Sequence, residues 1–226
     1  MASPDGHLLE QAESSVVFAD RNAAPSLAAG GLADREQGTV ARVSRLDGLC
    51  VAAEPQIALA LWERDLPDPL LKELNSLDLN AVDDLDVTLD VSASALTLAA
   101  SLLASGYSEV LAGLLAADMM PLARALGTLV DVPRVRMRLE VVETDSCRKF
   151  HADYVTQRLL VSYRGPATQW VHVGDPEAIG QARTGDAAIL KGRLLMDEPA
   201  ILHRSPPIAG TGVQRILLTI DTPRAA

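Results

Sequence analysis

The hydrophobic pattern changes its period once along the chain, at Pro133. Before it, apolar residues recur at helical spacing. Leu102 and Leu103, with Leu111, Leu114 and Leu115, predict two helices within Ala95 to Leu129, broken around Gly106 and again near Met120-Pro121. Such helices cover a sheet. Leu66-Pro-Asp-Pro69 predicts an earlier helix start: Asp68 can cap, Pro69 can occupy the first turn, and Leu70, Leu71, Leu74 and Leu77 then face inward. Thr39 to Val43 predicts a short strand. The apolar run Pro55 to Glu63, which contains Trp62, suits a strand or a helix on its alanines and leucines. Asp78 to Asp90 carries Asp78, Asp83, Asp84, Asp86 and Asp90 without the spacing or glycine of a calcium loop, and reads as a solvated loop. Residues 1–38 show no sustained period and read as a loosely ordered arm, with a short strand at Ser15-Val-Val-Phe18.

After Pro133 the period is two. Val135, Met137, Leu139 and Val141 alternate with Arg136, Arg138, Glu140 and Val142, a half-buried strand. Thr144 to Arg148 is expected to turn the chain into a strand carrying His151 and Asp153. Gln157 to Arg164 follows, stopped by Gly165-Pro166, then Thr168 to Val173 and a loop at Gly174-Asp-Pro-Glu177. Asp186 to Leu190, Pro199 to His203 and Val213 to Asp221 complete about seven or eight short strands, the signature of a sandwich or barrel. On the last, Ile216, Leu218 and Ile220 take one face while Leu217 and Thr219 share the other with Arg215. The fold class is therefore α+β with a mainly β core. It divides into the arm 1–38, a mainly helical part 39–132, and a β core 133–226 that holds the chemistry.

Composition narrows this picture. The chain has 226 residues, 48% of them hydrophobic and only 3% aromatic, so its core is built of Leu, Val, Ile and Ala. Cys50 and Cys147 are too few for a disulfide framework, and Met-Ala-Ser-Pro-Asp-Gly-His7 lacks the pattern of a secretory signal, so a reduced, cytoplasmic protein is expected. Val91 to Ser108 is free of charge, yet its serines and Thr97 suit a helix on a soluble core, and no membrane partner is expected. The net charge of −10 is uneven: residues 1–132 hold 7 Lys+Arg against 20 Asp+Glu, net −13, and residues 133–226 hold 13 against 10, net +3. So acidic a chain argues against nucleic acid as a partner. The positive half contains Arg136, Arg138, Arg148, Lys149, Arg158 and Arg215, which would favour a small dianion.

The chemistry concentrates at Cys147-Arg-Lys-Phe-His-Ala-Asp-Tyr-Val-Thr-Gln-Arg158. His151 and Asp153 stand two apart, so on a strand both point to one face. An imidazole and a carboxylate there make two thirds of a facial metal triad, and the third ligand must come from another strand. His203 closes the apolar segment Pro199-Ala-Ile-Leu-His203, and Arg215 opens Arg-Ile-Leu-Leu-Thr-Ile-Asp221 twelve residues later. His7 and His172 carry no role in this pattern.

The order His-x-Asp, His, Arg resembles that of the iron(II)- and 2-oxoglutarate-dependent oxygenases. Thr184-Gly-Asp-Ala-Ala-Ile-Leu-Lys-Gly192 is similar to the turn and strand preceding their distal histidine, and His203-Arg-Ser-Pro-Pro to the distal motif itself. A closer resemblance is to the bacterial domain-of-unknown-function family 1826. It is carried by Ala58-Leu-Ala-Leu-Trp-Glu-Arg64, Cys147-Arg-Lys-Phe-His-Ala-Asp153 and Arg158-Leu-Leu-Val-Ser-Tyr-Arg-Gly-Pro-Ala-Thr-Gln-Trp170, and runs from about Leu46 to Pro223. The motif order joined to the strand count implies a double-stranded β-helix, the cupin-like jelly roll, with the leading helices packed outside one sheet. It implies iron(II) on His151, Asp153 and His203, and 2-oxoglutarate held by Arg215 with Thr219 or Tyr163, Arg158 and Arg204 standing as substitutes for Arg215. The substrate to be oxidised is unspecified. His203-to-Arg215 spacing is slightly long, and Ser205 to Gly212 would form the intervening hairpin loop.

Two other readings stay open. Members of the family keep company with zinc-homeostasis genes, and Cys147 with the same three ligands would close a tetrahedral zinc(II) site that has no use for Arg215. A cupin-like module without catalysis, binding a partner protein, is the third.

Overall fold

The fold is that of a computed structural model, described over residues 34–36, 38–145 and 147–223. The arm up to residue 33, with His7 and Ser15–Phe18, lies outside the described residues. Among the described residues, eleven strands and three α-helices follow one another: β1 (Asp34–Glu36), β2 (Val40–Val43), β3 (Leu59–Trp62), α1 (Asp68–Ser76), β4 (Leu85–Asp90), α2 (Ala95–Ala104), α3 (Glu109–Leu129), β5 (Arg134–Val142), β6 (Gln157–Arg164), β7 (Gln169–His172), β8 (Asp175–Gln181), β9 (Ala187–Lys191), β10 (Ile201–Arg204) and β11 (Arg215–Asp221). A 3-10 helix, Leu46–Ala53, joins β2 to β3.

The strands form an eight-stranded sheet, β1-β2-β3-β9-β6-β11-β5-β4, and a three-stranded sheet, β10-β7-β8. From β5 onward the chain passes repeatedly between them. It makes β5 in the large sheet, then touches the small sheet at a single bridge, His151 to His203, before returning as β6. β7 and β8 lie in the small sheet, β9 in the large, β10 in the small and β11 in the large. The row β5-β11-β6-β9 thus has the row His151-β10-β7-β8 as its counterpart. That winding is the double-stranded β-helix, with one of its eight strands reduced to a single residue pair.

Each face of the large sheet has its own core. On one side Leu159, Val161, Tyr163, Ile216, Leu218 and Ile220 pack under Leu98, Leu102, Leu111, Leu115 and Leu126 of the helices. α3 is apolar enough to cross a membrane by composition, but its apolar residues are largely buried in this layer. On the other side Leu59, Leu61, Leu160, Ala188 and Leu190 meet Trp170 and Ile201 of the small sheet. Thus Val161, Tyr163 and the even positions of β11 belong to the helix layer, and Arg158, Leu160 and Ser162 with the odd positions of β11 look between the sheets.

Five expectations change. The acidic segment is no loop throughout: Leu85 to Asp90 form β4, because Leu85, Val87 and Leu89 face the helix layer while the aspartates remain outside. Pro121 does not break its helix. The residues after it, Leu122, Ala123 and Leu126, are fully buried, and that burial outweighs the one backbone bond a proline removes. Asp175-Pro-Glu177 is part of β8, an edge strand, where a proline removes no bond that a partner needs. Asp34–Glu36 pair with β2 instead of trailing in the arm. The part 39–132 is rich in helix, yet it also supplies β2, β3 and β4 to the large sheet, so the β core does not begin at residue 133.

Candidate metal centre

His203 arrives on β10, held by β7 on one side: it stands opposite Trp170 in the register, and its side chain is buried. On its other side its backbone bonds reciprocally with His151, N to O at 2.8 and 3.0 Å. That bridge brings the two imidazoles together, with ring centroids 4.6 Å apart and tilted by 43°. The chain then leaves the bridge. Asp153 is held by its carbonyl, which accepts from Arg193 N at 2.8 Å, and Gly192 N donates to Thr156 O at 2.9 Å. Gly192 is required there: a Cβ would overlap the Val155 carbonyl oxygen and come within 2.7 Å of that of Asp153. The His-x-Asp pair therefore shares a site through one bridge and one turn, not through a continuous strand.

The donor atoms converge. One atom from each of His151, Asp153 and His203 lies within 4.8 Å of the others. Asp153 Oδ2 is 3.1 Å from His203 Nε2, and Oδ1 is 3.6 Å from His151 Nε2. His151 Nδ1 is 2.8 Å from the Lys149 carbonyl. A carbonyl accepts only, so Nδ1 carries a proton and Nε2 is the ring nitrogen turned to the cluster. Burial alone would raise the Asp153 carboxyl, but His151, His203 and Arg158 outweigh it and hold it far below the usual carboxylate range. His151 is raised above the ordinary imidazole range, chiefly by Asp153, against the effect of burial. Asp153 Oδ2 also lies 2.7 Å from Arg158 Nη1, yet it is buried and receives no directed hydrogen bond. With Oδ2 against Arg158, Oδ1 is left to a divalent cation: two imidazole nitrogens and one carboxylate oxygen on one side of the ion.

Beyond His203 the chain runs to Ser205, whose hydroxyl accepts from Arg215 Nη1 at 2.7 Å. Arg215 Nη2 donates to Ser162 Oγ at 3.1 Å. The Arg215 side chain is 0% exposed, its Nε has no partner, and among the described residues no carboxylate pairs with it. Burial lowers its pKa from the ordinary arginine value, but a guanidinium remains charged at neutral pH. Gly165, in the left-handed region at φ +77°, closes the other side: a Cβ there would come within 2.9 Å of the Arg215 side chain.

A family model described as a protein of unknown function, DUF1826, matches residues 44–221. The chain belongs to this DUF1826 family. No curated protein matches it. Among solved structures, this DUF1826 chain is similar to the rice dioxygenase for auxin oxidation, at 12% identity over 78% of this chain and 76% of that one, with a TM-score of 0.45. It is similar also to the Arabidopsis thaliana dioxygenase for auxin oxidation 1 in its 2-oxoglutarate complex (11% identity, 83% and 93%, TM-score 0.45) and to a Pseudomonas putida prolyl-4-hydroxylase (12%, 79% and 99%, TM-score 0.44). These overlaps are too loose to transfer residues, so roles in the DUF1826 chain follow from its own contacts.

Those contacts redistribute several of the expected roles. Tyr163 lies on the helix side of β6, where its hydroxyl donates to Asp118 at 2.5 Å, within a buried cluster completed by Arg64. Period two places it one residue off the site face, and it is unavailable to a co-substrate. Thr219 is buried on the same face as Arg215 but four residues away, roughly 13 Å along a strand, so the two cannot hold one carboxylate. Arg204 points out of the sandwich, to Gln169 and over the Phe150 ring. Arg158 is already paired with Asp221 and Asp153. Cys147 is exposed and outside the ligand cluster. The residues that do meet Arg215, Ser162 and Ser205, escaped the sequence reading. Their signal was present: Ser162 stands two after Leu160 and four after Arg158 on the site face, and Ser205 two after His203.

Proposed function

We propose that this DUF1826 chain is an iron(II)- and 2-oxoglutarate-dependent oxygenase. The observation that carries the reading is Arg215, a fully buried guanidinium with no carboxylate partner among the described residues, whose fork meets Ser205, two residues after the His203 of a cluster of two imidazoles and one carboxylate. A buried cation without a counter-charge is costly, and an anionic ligand in bidentate contact removes that cost. 2-Oxoglutarate, which the Arabidopsis relative's complex contains, offers a carboxylate at each end.

His151 Nε2, His203 Nε2 and one oxygen of Asp153 would hold the iron. The metal supplies activation of dioxygen coupled to oxidative loss of carbon dioxide from the 2-oxo acid. Arg215 would bind the distal carboxylate, with Ser162 and Ser205 fixing the plane of its fork. Leu160 and Leu217, on the same face of β6 and β11, keep water from the floor of the site. The Lys149 carbonyl holds the Nδ1 proton of His151, so the ring offers only Nε2. Among the described residues Cys147 does not join the cluster, which favours an open three-ligand centre over a closed zinc site.

The test is succinate release from 2-oxoglutarate with iron(II) and no further substrate, together with metal analysis of protein purified without added metal. Slow succinate release that disappears in His151→Ala is expected. Zinc as the resident metal, with no succinate released after iron loading, would refute the reading.

A further inference from the structure

Arg158 stands between two carboxylates. The register of β6 and β11 places it opposite Asp221. Its Nε and Nη2 fork onto Asp221 at 2.7 and 2.8 Å, leaving Nη1 to reach Asp153 Oδ2 at 2.7 Å. On its far side Asp221 also faces Arg138, 3.6 Å away. The three central side chains, Arg158, Asp221 and Asp153, are 18%, 10% and 17% exposed, so water screens them weakly. With both nitrogens of its fork taken by Asp221, Arg158 cannot turn to form the two-bond pair that guanidinium and carboxylate otherwise favour. Asp153 is touched by charge at one oxygen and is not captured.

We propose that Arg158, anchored by Asp221, is a positioning residue of the metal centre: it fixes Asp153 through one oxygen so that the carboxylate offers the ion only the other. Asp221 sets the balance. Without its charge, Arg158 closes a full ion pair with Asp153 and competes with the metal. This inference rests on the metal-centre reading above and adds to it a device that limits the carboxylate to one bond.

The two partners therefore act with opposite sign, which distinguishes positioning from mere scaffolding. The experiment titrates the full chain with cobalt(II) against a competing chelator, following the visible ligand-field bands, with thermal melts as a folding control. Changes beside a ligand typically cost 10–100-fold in metal affinity, and Asp221→Asn is expected to weaken cobalt(II) by about that much. Arg158→Gln tightens binding severalfold and alters the bands, because Asp153 is then free to bind through both oxygens. The double variant Arg158→Gln/Asp221→Asn regains the affinity lost in Asp221→Asn. Arg158→Lys keeps the charge but cannot bond both carboxylates, so its bands shift even if Asp221→Asn does not fold. An Asp221→Asn affinity equal to wild type, a double variant no better than Asp221→Asn, or unshifted bands in Arg158→Lys would each overturn the inference. Failure of the wild-type chain to bind cobalt(II) at all would instead sink the metal centre and this device with it.

Discussion

Replacing Arg215 by methionine separates a buried cation that serves the fold from one that waits for a ligand. An unpaired guanidinium out of water costs several kcal/mol even after relaxation. Its bonds to Ser205 and Ser162 return about 1.5–3 kcal/mol each, and Nε stays unbonded. Methionine is unbranched and uncharged, and it leaves only two small hydroxyls, those of Ser162 and Ser205, without their former donor. The gain and the loss nearly cancel, so the ligand-free Arg215→Met chain should melt at or above the wild-type temperature. The ligand response is where the two proteins differ. At about 100 times its dissociation constant, a ligand that binds only the folded chain adds about 2.7 kcal/mol. For a chain of this size that is a rise of roughly 5–10 °C. Scanning calorimetry with manganese(II), without oxygen, should show this rise on adding 2-oxoglutarate to wild type and none in Arg215→Met. A ligand-free variant melting more than about 10 °C below wild type would mean that the guanidinium supports the fold in its own right. An undiminished ligand response would mean that it holds no carboxylate. Either result refutes the reasoning.

Other substitutions test the placement of residues around the centre. Tyr163→Phe removes a donor to Asp118 in the Arg64 cluster, so it should cost about 1–3 kcal/mol in urea unfolding and leave the response to 2-oxoglutarate intact. Gly192→Ala drives a methyl group against the Asp153 and Val155 carbonyls; metal affinity should fall at least about tenfold while circular dichroism stays native. Asp145 is held below the ordinary aspartate range by the amides of Ala209 and Ile208. Its folded pKa being the lower one, the tie is complete above about pH 4 and opens as pH falls through the depressed value. Hydrogen exchange at the Ile208 and Ala209 amides should therefore be protected at neutral pH, unprotected in strong acid, and unprotected at every pH in Asp145→Ala.

How far the sequence could be read depended on whether a feature is written in one segment or shared by two. The alternation from Val135 to Val141 and along β11 is local, and it located the strands and the odd face that bears Arg215. The order of His151, Asp153, His203 and Arg215 is equally local at each point, so the cluster of the first three could be anticipated from sequence. Pairing is not local. Leu85-Asp-Val-Thr-Leu-Asp90 became a strand only because β5 offers an edge to it, and its aspartates hid the alternation of Leu85, Val87 and Leu89. Tyr163 misleads for a simpler reason: its hydroxyl suits a carboxylate, but a position one residue on from Ser162 faces the helix layer. The role of Arg158 was illegible for a third reason, since it depends on Asp221, 63 residues away and brought opposite only by the register of β6 and β11.

That register also explains why the two halves of the centre differ in firmness. β11 lies between β5 and β6, bonded along both edges, and carries Arg215 and Asp221 on one face, six residues or roughly 20 Å apart. The buried Arg215 and the Asp221 that pairs with Arg158 are thus set by a single strand of the sheet interior, where positions are reproduced closely. The candidate ligands His151 and Asp153 come instead from a segment whose strand is reduced to one bridge, supported beyond it by the Ser205 N to Cys147 O bond and a turn through Gly192. Such a segment has few backbone bonds of its own, so the charges around it must supply the positioning that a strand would otherwise provide. Arg158 reaches across from the firm side to the weak one. It lies where the sheet can hold a ligand that the missing strand cannot.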